Sequence, residues 1–204
     1  MTAIVDYGLG NLYSIANMLR HIGEESAITA DKQIIRMADR LILPGVGKFD
    51  EGMTRLEDTG LKKAILSEVL SGKPVLGICL GMQLLGKSSE EGKKEGLGLL
   101  NFRTIRFDFD EKRSLKIPHM GWERVRFISN KCPLTLSLDD KQRYYFVHSY
   151  HAVCEEQGIE IISCDYGYSF TAGVRKKNIY GVQFHPEKSH RYGMALMQNY
   201  VRYC

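Results

Sequence analysis

A chain of 204 residues with 44% hydrophobic side chains and a net charge of +4 can bury a sizeable core, and it is expected to form one α/β domain over residues 1–204. Its basic residues are scattered, as in Lys93-Lys94 and Arg175-Lys176-Lys177, without interleaved stacking aromatics, which argues against a nucleic-acid partner; no apolar run approaches the roughly eighteen residues of a membrane span. Five cysteines without a Cys-x-x-Cys pair argue against a disulfide framework or a zinc site, and no basic-then-apolar leader is visible over Met1–Asp6, so a reducing cytoplasm is the expected setting.

In chain order, Thr2–Asp6 reads as a buried strand ending in Tyr7-Gly8-Leu9-Gly10-Asn11. A helix follows, with Leu12, Ile15, Ala16, Leu19 and Ile22 at helical spacing and Gly23 at its end. Arg40–Leu43 is a second strand, broken by Pro44-Gly45-Val46-Gly47. Leu61, Ile65, Val69 and Leu70 mark another helix, closed by Gly72-Lys73-Pro74. Val75–Cys79 is a third strand that runs directly into a short helix through Met82, Leu84 and Leu85. Alternating strands and helices predict a parallel sheet covered on both faces. The second half changes character: Phe102–Phe107, Trp122–Ile128, Tyr144–Val147, Ile159–Cys164 and Ile179–Phe184 are strand-like with short connections, and Tyr192, Ala195, Leu196 and Tyr200 form a closing helix. The expectation is a mixed sheet, parallel at its centre and antiparallel at one side.

Gly77-Ile78-Cys79-Leu80-Gly81 has the form of a nucleophile elbow, with sulfur in place of hydroxyl, between an apolar strand and a helical pattern. Such a turn strains the nucleophile's backbone and needs glycines on both sides; it also sets the thiol at a helix start, where N–H groups favour thiolate and the next N–H can hold an oxyanion. Alone, the pentapeptide fits a buried structural cysteine as well. A thiol nucleophile needs a base and the base an orienter, and Gln183-Phe184-His185-Pro186-Glu187 supplies His185 at a strand end with Glu187 two residues on. The other histidines are weaker candidates: His21 falls on a helix surface, His190 lacks an orienter, and His148 with His151 forms an HxxH pair that no carboxylate or cysteine cluster completes.

Pro44-Gly45-Val46-Gly47, Gly77-Ile78-Cys79-Leu80-Gly81-Met82-Gln83 and Gln183-Phe184-His185-Pro186-Glu187 together resemble the class I, triad-type glutamine amidotransferases. Asp6-Tyr7-Gly8-Leu9-Gly10-Asn11, Pro118-His119-Met120-Gly121-Trp122, Phe146-Val147-His148-Ser149-Tyr150 and His185-Pro186-Glu187-Lys188-Ser189 are similar to one branch of that family, the glutaminase subunits of imidazole glycerol phosphate synthase. The resemblance runs from residue 6 to residue 189 and implies the three-layer α/β fold of the family. It implies glutamine as substrate, Cys79, His185 and Glu187 as catalytic triad, and an oxyanion hole from Gly45, Val46, Gly47 and Leu80. Gln83, Ser149 and Tyr150 match positions near bound glutamine. No cofactor or metal is implied. The partner implied is a (β/α)₈-barrel cyclase, forming a heterodimer that uses the ammonia in histidine biosynthesis, with Asn11, Trp122 and Lys188 facing it. Local chemistry leaves other uses open: Asn11 as a helix cap, Trp122 as a core residue, Gln83 as a polar helix residue. Glu123 stands where this branch usually has Asn, and Asn101 where Gly is common, which leaves a second acceptor in play: a paralogous subunit supplying ammonia for amidation of a surface-polysaccharide or flagellar sugar.

Overall fold

A computed structural model describes residues 1–109, 115–128, 132–139 and 141–204. The chain lays down β1 (Thr2–Val5), α1 (Leu12–His21), β2 (Ser26–Thr29), α2 (Lys32–Met37), β3 (Arg40–Gly45), α3 (Phe49–Asp58), α4 (Leu61–Leu70), β4 (Val75–Cys79) and α5 (Leu80–Leu85). Strands then dominate: β5 (Ser88–Ser89), β6 (Phe102–Arg106), β7 (His119–Phe127), β8 (Arg143–His148), β9 (Tyr150–Cys154), β10 (Glu160–Tyr166), β11 (Tyr168–Lys176) and β12 (Ile179–Val182), before α6 (His190–Tyr203) closes the fold.

These strands form one sheet ordered β2-β1-β3-β4-β12-β11-β10-β7-β8, with β5, β6 and β9 branching from β11. From β2 to β12 the pairs are parallel; from β12 through β11, β10 and β7 to β8 they are antiparallel. The expected mixed sheet is therefore present. Its parallel strands are apolar on both faces, and neighbouring residues divide between two cores. Ala3, Val5, Leu41 and Leu43 pack with Phe49 and Met53 of α3 and Leu61 and Ile65 of α4. Ile4, Ile42, Leu76 and Ile78 pack on the opposite face with Ile15 and Leu19 of α1 and Leu196 and Tyr200 of α6. Helix, sheet and helix make the three layers.

Two departures from the sequence expectation have clear causes. Strand β3 does not stop at Leu43: Pro44 pairs with Ile78 and Gly45 with Cys79. The ladder to β1 has ended at Ile42, so the amide hydrogen that Pro44 lacks breaks no bond on that side. Strands β2, β5, β9 and β11 and helices α2 and α3 were not anticipated. Ser26–Thr29 is short and three of its four residues are half-buried, so no run of apolar residues announces it. Lys32–Met37 buries only Ile35 and is fixed by Asp31, whose side chain accepts from the Gln33 amide.

Candidate active site

The site forms where β3, β4 and β12 end side by side, since Gly45 pairs with Cys79 and Val182 with Ile78. At the end of β4 the backbone of Cys79 turns sharply, with φ 54° and ψ −112°, a conformation costly for a residue with a side chain. Close packing holds it there. A Cβ on Gly77 would lie 2.7 Å from the backbone of Gly81 and Met82, and one on Gly81 would lie 1.8 Å from the Leu43 carbonyl oxygen. Only glycine fits either place, and the thiol between them is 7% exposed at the rim of a cleft.

Across the cleft, His185 follows β12. Its amide donates to the Tyr145 carbonyl, and its own carbonyl accepts from the Ser189 hydroxyl at 2.6 Å, while that hydroxyl also accepts from the Tyr145 amide. The ring is thus set by its backbone on both sides. Nδ1 lies 2.8 Å from Glu187 Oε1, and both side chains are 2% exposed. Nε2 is buried and has no hydrogen-bond partner of ordinary geometry among the described residues. Burial alone would push the imidazolium's pKa down, but the Cys79 sulfur and the Glu187 carboxylate outweigh it and hold His185 up at about 10. The structure thus brings Cys79, His185 and Glu187 into one coupled unit from elements over a hundred residues apart.

The cleft between them is about 230 Å³, below the roughly 300–1,000 Å³ of pockets for drug-sized ligands, and suits a single amino acid rather than a length of peptide. Val46, Gly47 and Leu80 line it, as do Gln83, Ser149 and Tyr150, so these expected site residues converge. Gly45 lies just behind, pressed on the elbow: a Cβ there would come within 2.5 Å of the Tyr7 hydroxyl and 2.9 Å of Leu80. That hydroxyl donates to the Pro44 carbonyl at 2.6 Å, anchoring the start of the glycine loop. Gly47, with φ 127°, takes a backbone shape that favours glycine, so the loop is free to turn at its far end.

Two polar residues of the site, Glu91 and Gln183, were given no role from sequence. Glu91 brings the only carboxylate among the described lining residues, and its Oε2 accepts from the Phe49 amide at the start of α3. His148 is not half of a metal pair. Its Nδ1 donates to the Tyr150 carbonyl at 2.8 Å, so its Nε2 accepts from Nδ1 of His119, 3.0 Å away and directly opposite on β7. Burial pushes His148 down to about 3 and His119 to about 4, so both are neutral struts behind the 148–150 wall. His151 bonds the Tyr168 hydroxyl and the Ala152 carbonyl. Among the described residues no group of three or more His, Cys, Asp or Glu stands together as a metal site would require. Gln183, fully buried, reaches Cys79 itself.

The three residues expected to face a partner lie on the outside of the site. Trp122 is 41% exposed on β7 and stacks on His190 at 5.5 Å with the rings 2° from parallel, so it is not a core residue. Lys188 sets its ammonium 5.7 Å from the centre of the Tyr145 ring, which also packs against Trp122. Asn11 precedes α1, but its side chain makes no capping bond; only its carbonyl joins the helix, accepting from Ile15. Helix α1 packs on the 186–188 turn that carries Glu187 and Lys188.

The family model for class I glutamine amidotransferases matches residues 3–202. The imidazole glycerol phosphate synthase subunit HisH 2 of Methanococcus maripaludis is 51% identical over 204 residues, covering 99% of each chain. The subunit HisH of Sulfurimonas denitrificans is 46% identical over 205 residues, covering 100% of this chain and 98% of that one. Among solved structures, PurLQS from Thermotoga maritima superposes with a TM-score of 0.75 at 20% identity over 99% of this chain and 97% of that one, a likeness of fold. Among the described residues, no helix is long and apolar enough to cross a membrane.

Proposed function

The chain belongs to the class I glutamine amidotransferases, and from that premise we propose that it is the glutaminase subunit of an imidazole glycerol phosphate synthase, splitting glutamine to glutamate and ammonia. The ammonia passes to a (β/α)₈-barrel cyclase subunit, which makes imidazole glycerol phosphate and aminoimidazole carboxamide ribotide. The observation that carries the reading is the meeting of a strained thiol, Cys79, with the buried His185–Glu187 pair at the ends of adjacent strands of the sheet.

In this mechanism the Cys79 thiolate attacks the carboxamide carbon of glutamine. The carbonyl oxygen becomes an oxyanion, held by backbone N–H groups of the Gly45-Val46-Gly47 loop and of Leu80. Protonated His185 gives its proton to the departing nitrogen, ammonia leaves, and a glutamyl thioester remains on the sulfur. Neutral His185 then takes a proton from water, the resulting hydroxide adds to the thioester, and collapse releases glutamate and restores the thiolate–imidazolium pair. Glu187 holds the imidazole in one tautomer and steadies its positive form throughout. At the other end of the substrate, Glu91 offers a carboxylate to the α-ammonium group, with Gln83, Ser149 and Tyr150 forming the opposite wall.

The test is reconstitution. Purified chain plus the barrel subunit is expected to form imidazole glycerol phosphate with glutamine as nitrogen source, releasing one glutamate per product, and Cys79→Ala is expected to abolish the glutamine-dependent rate while leaving an ammonia-driven rate intact. Glutamine turnover retained by Cys79→Ala overturns the nucleophile assignment. Glutaminase activity that no barrel subunit stimulates, but that a sugar-amidating synthetase does, moves the chain to the other acceptor.

A further inference from the structure

We propose that Gln183 is a further catalytic residue: its side-chain amide donates a hydrogen bond to the Cys79 sulfur and stabilises the thiolate. The inference deepens the glutaminase reading, since it rests on Cys79 being the nucleophile. Gln183 is fully buried, and its Nε2 lies 3.7 Å from Cys79 Sγ, within reach of an N–H···S bond.

Which end of the Gln183 amide faces the sulfur follows from its neighbours. The amide of Gln83 lies 3.3 Å from the Tyr150 carbonyl and 3.1 Å from Gln183. A backbone carbonyl can only accept, so the end of Gln83 facing Tyr150 must be its NH₂. That same NH₂ meets Gln183, so the end of Gln183 it meets must be oxygen. The remaining end of Gln183, the one toward Cys79, is then its NH₂. One obligate acceptor thus fixes the chain Tyr150 carbonyl, Gln83, Gln183, sulfur, and no amide in it is free to flip without losing a buried bond. Gln83 accordingly acts as a positioning residue for Gln183 as well as lining the cleft.

The sulfur needs such a donor. It is 7% exposed and, besides His185, lies 4.0 Å from the Val147 carbonyl, an acceptor that offers a negative sulfur no hydrogen bond. His185 balances the charge, and Gln183 replaces part of the hydration that burial removes. The bond is strong when the sulfur is negative and weak when it is acylated. It therefore favours the resting thiolate and also favours the sulfur as leaving group when the tetrahedral adduct of the thioester collapses.

The test reads the Cys79 thiol directly. Alkylation of Cys79 by iodoacetamide is followed against pH by mass spectrometry of the peptide that contains it, in the full chain, alongside glutamine turnover with the barrel subunit. Gln183→Met keeps the bulk and loses the donor, and its alkylation midpoint is expected to rise by about one to two pH units, the range for losing a hydrogen bond to a charged group. Its kcat is expected to fall about ten-fold or more with KM little changed. Gln183→Asn keeps an amide but is too short to span Gln83 and the sulfur, and its midpoint is expected to rise as well, which decides the matter if Gln183→Met does not fold. A wild-type midpoint in the folded variant overturns the inference while alkylation still abolishing turnover preserves Cys79 as nucleophile; turnover that survives complete alkylation of Cys79 overturns both.

Discussion

The imidazole of His185 sits between two acidic partners, the Cys79 thiol and the Glu187 carboxyl, and its protonation follows both. A value of about 10 keeps the imidazole positive across the neutral range. Because the folded value lies above the ordinary 6.5, this pairing contributes stability that is fully present below about pH 6.5 and is lost as pH rises through about 10. The Cys79→Ser variant removes the sulfur partner and keeps the Glu187 partner. The His185 ring, followed by long-range ¹H–¹⁵N NMR, is then expected to lose its proton at a lower pH than in the wild type; an unchanged titration would show that Glu187 alone sets it. The proposed triad was legible in sequence because each member sits in a short motif whose spacing has a chemical reason. Gln183 lay inside one of those motifs yet carried no signal, since a glutamine at a strand end is ordinary until its neighbours are known. Glu91 was silent for the same reason: it enters the cleft only because its carboxylate accepts from the first amide of α3, 42 residues away in sequence.

At the scale of elements, the proposed triad depends on two tight turns. One is the elbow between β4 and α5, where Gly77 and Gly81 admit no side chain. The other is the 186–188 turn, which sits on α6: a Cβ on Gly193 would come 1.9 Å from the Pro186 carbonyl oxygen. Gly193→Ala must push that turn off the helix and carry Glu187 with it. Overpacking against backbone costs about 1–3 kcal/mol, so a lowered melting temperature is expected together with a fall in glutamine turnover of about ten-fold or more, with ammonia-driven cyclisation by the partner unaffected. A variant that loses stability but keeps full turnover would show that Glu187 tolerates the shift. Strands with strong apolar runs, such as Val75–Cys79 and Ile179–Val182, were readable because both faces of a parallel strand are buried. Helix α3 was not, although Phe49, Met53 and Leu56 lie on one buried face, because acidic and basic residues between them mask the period.

At the scale of the whole molecule, β7 and the 186–188 turn carry exposed Met120, half-exposed Trp122 and the Lys188 ammonium. Behind that face, the His119–His148 pair ties β7 to the wall of the cleft, so a load on the outer side of β7 reaches the residues at 148–150 through a buried bond. If the barrel subunit docks here, Trp122 is the aromatic anchor. Trp122→Ala is then expected to raise the concentration of barrel subunit needed for half-maximal stimulation by about 30-fold, the roughly 2 kcal/mol of an interface hot spot. Titration of glutaminase activity against the partner measures it, and an unchanged half-maximal concentration would place the docking face elsewhere.

The sequence by itself determined the candidate chemistry: a proposed nucleophile between two glycines, a proposed base with its orienter, and the alternation of strand and helix that makes a covered parallel sheet. These are local patterns, and a local pattern is visible wherever a few neighbouring residues must satisfy one physical demand. Tertiary structure decided what meets what. It put Gln183 on the sulfur, gave His148 to His119 rather than to a metal, turned Trp122 outward, and carried β3 through Pro44. Each outcome depends on groups distant in the chain competing for the same buried bond or the same volume, and that competition is settled only when the sheet has closed and water has left.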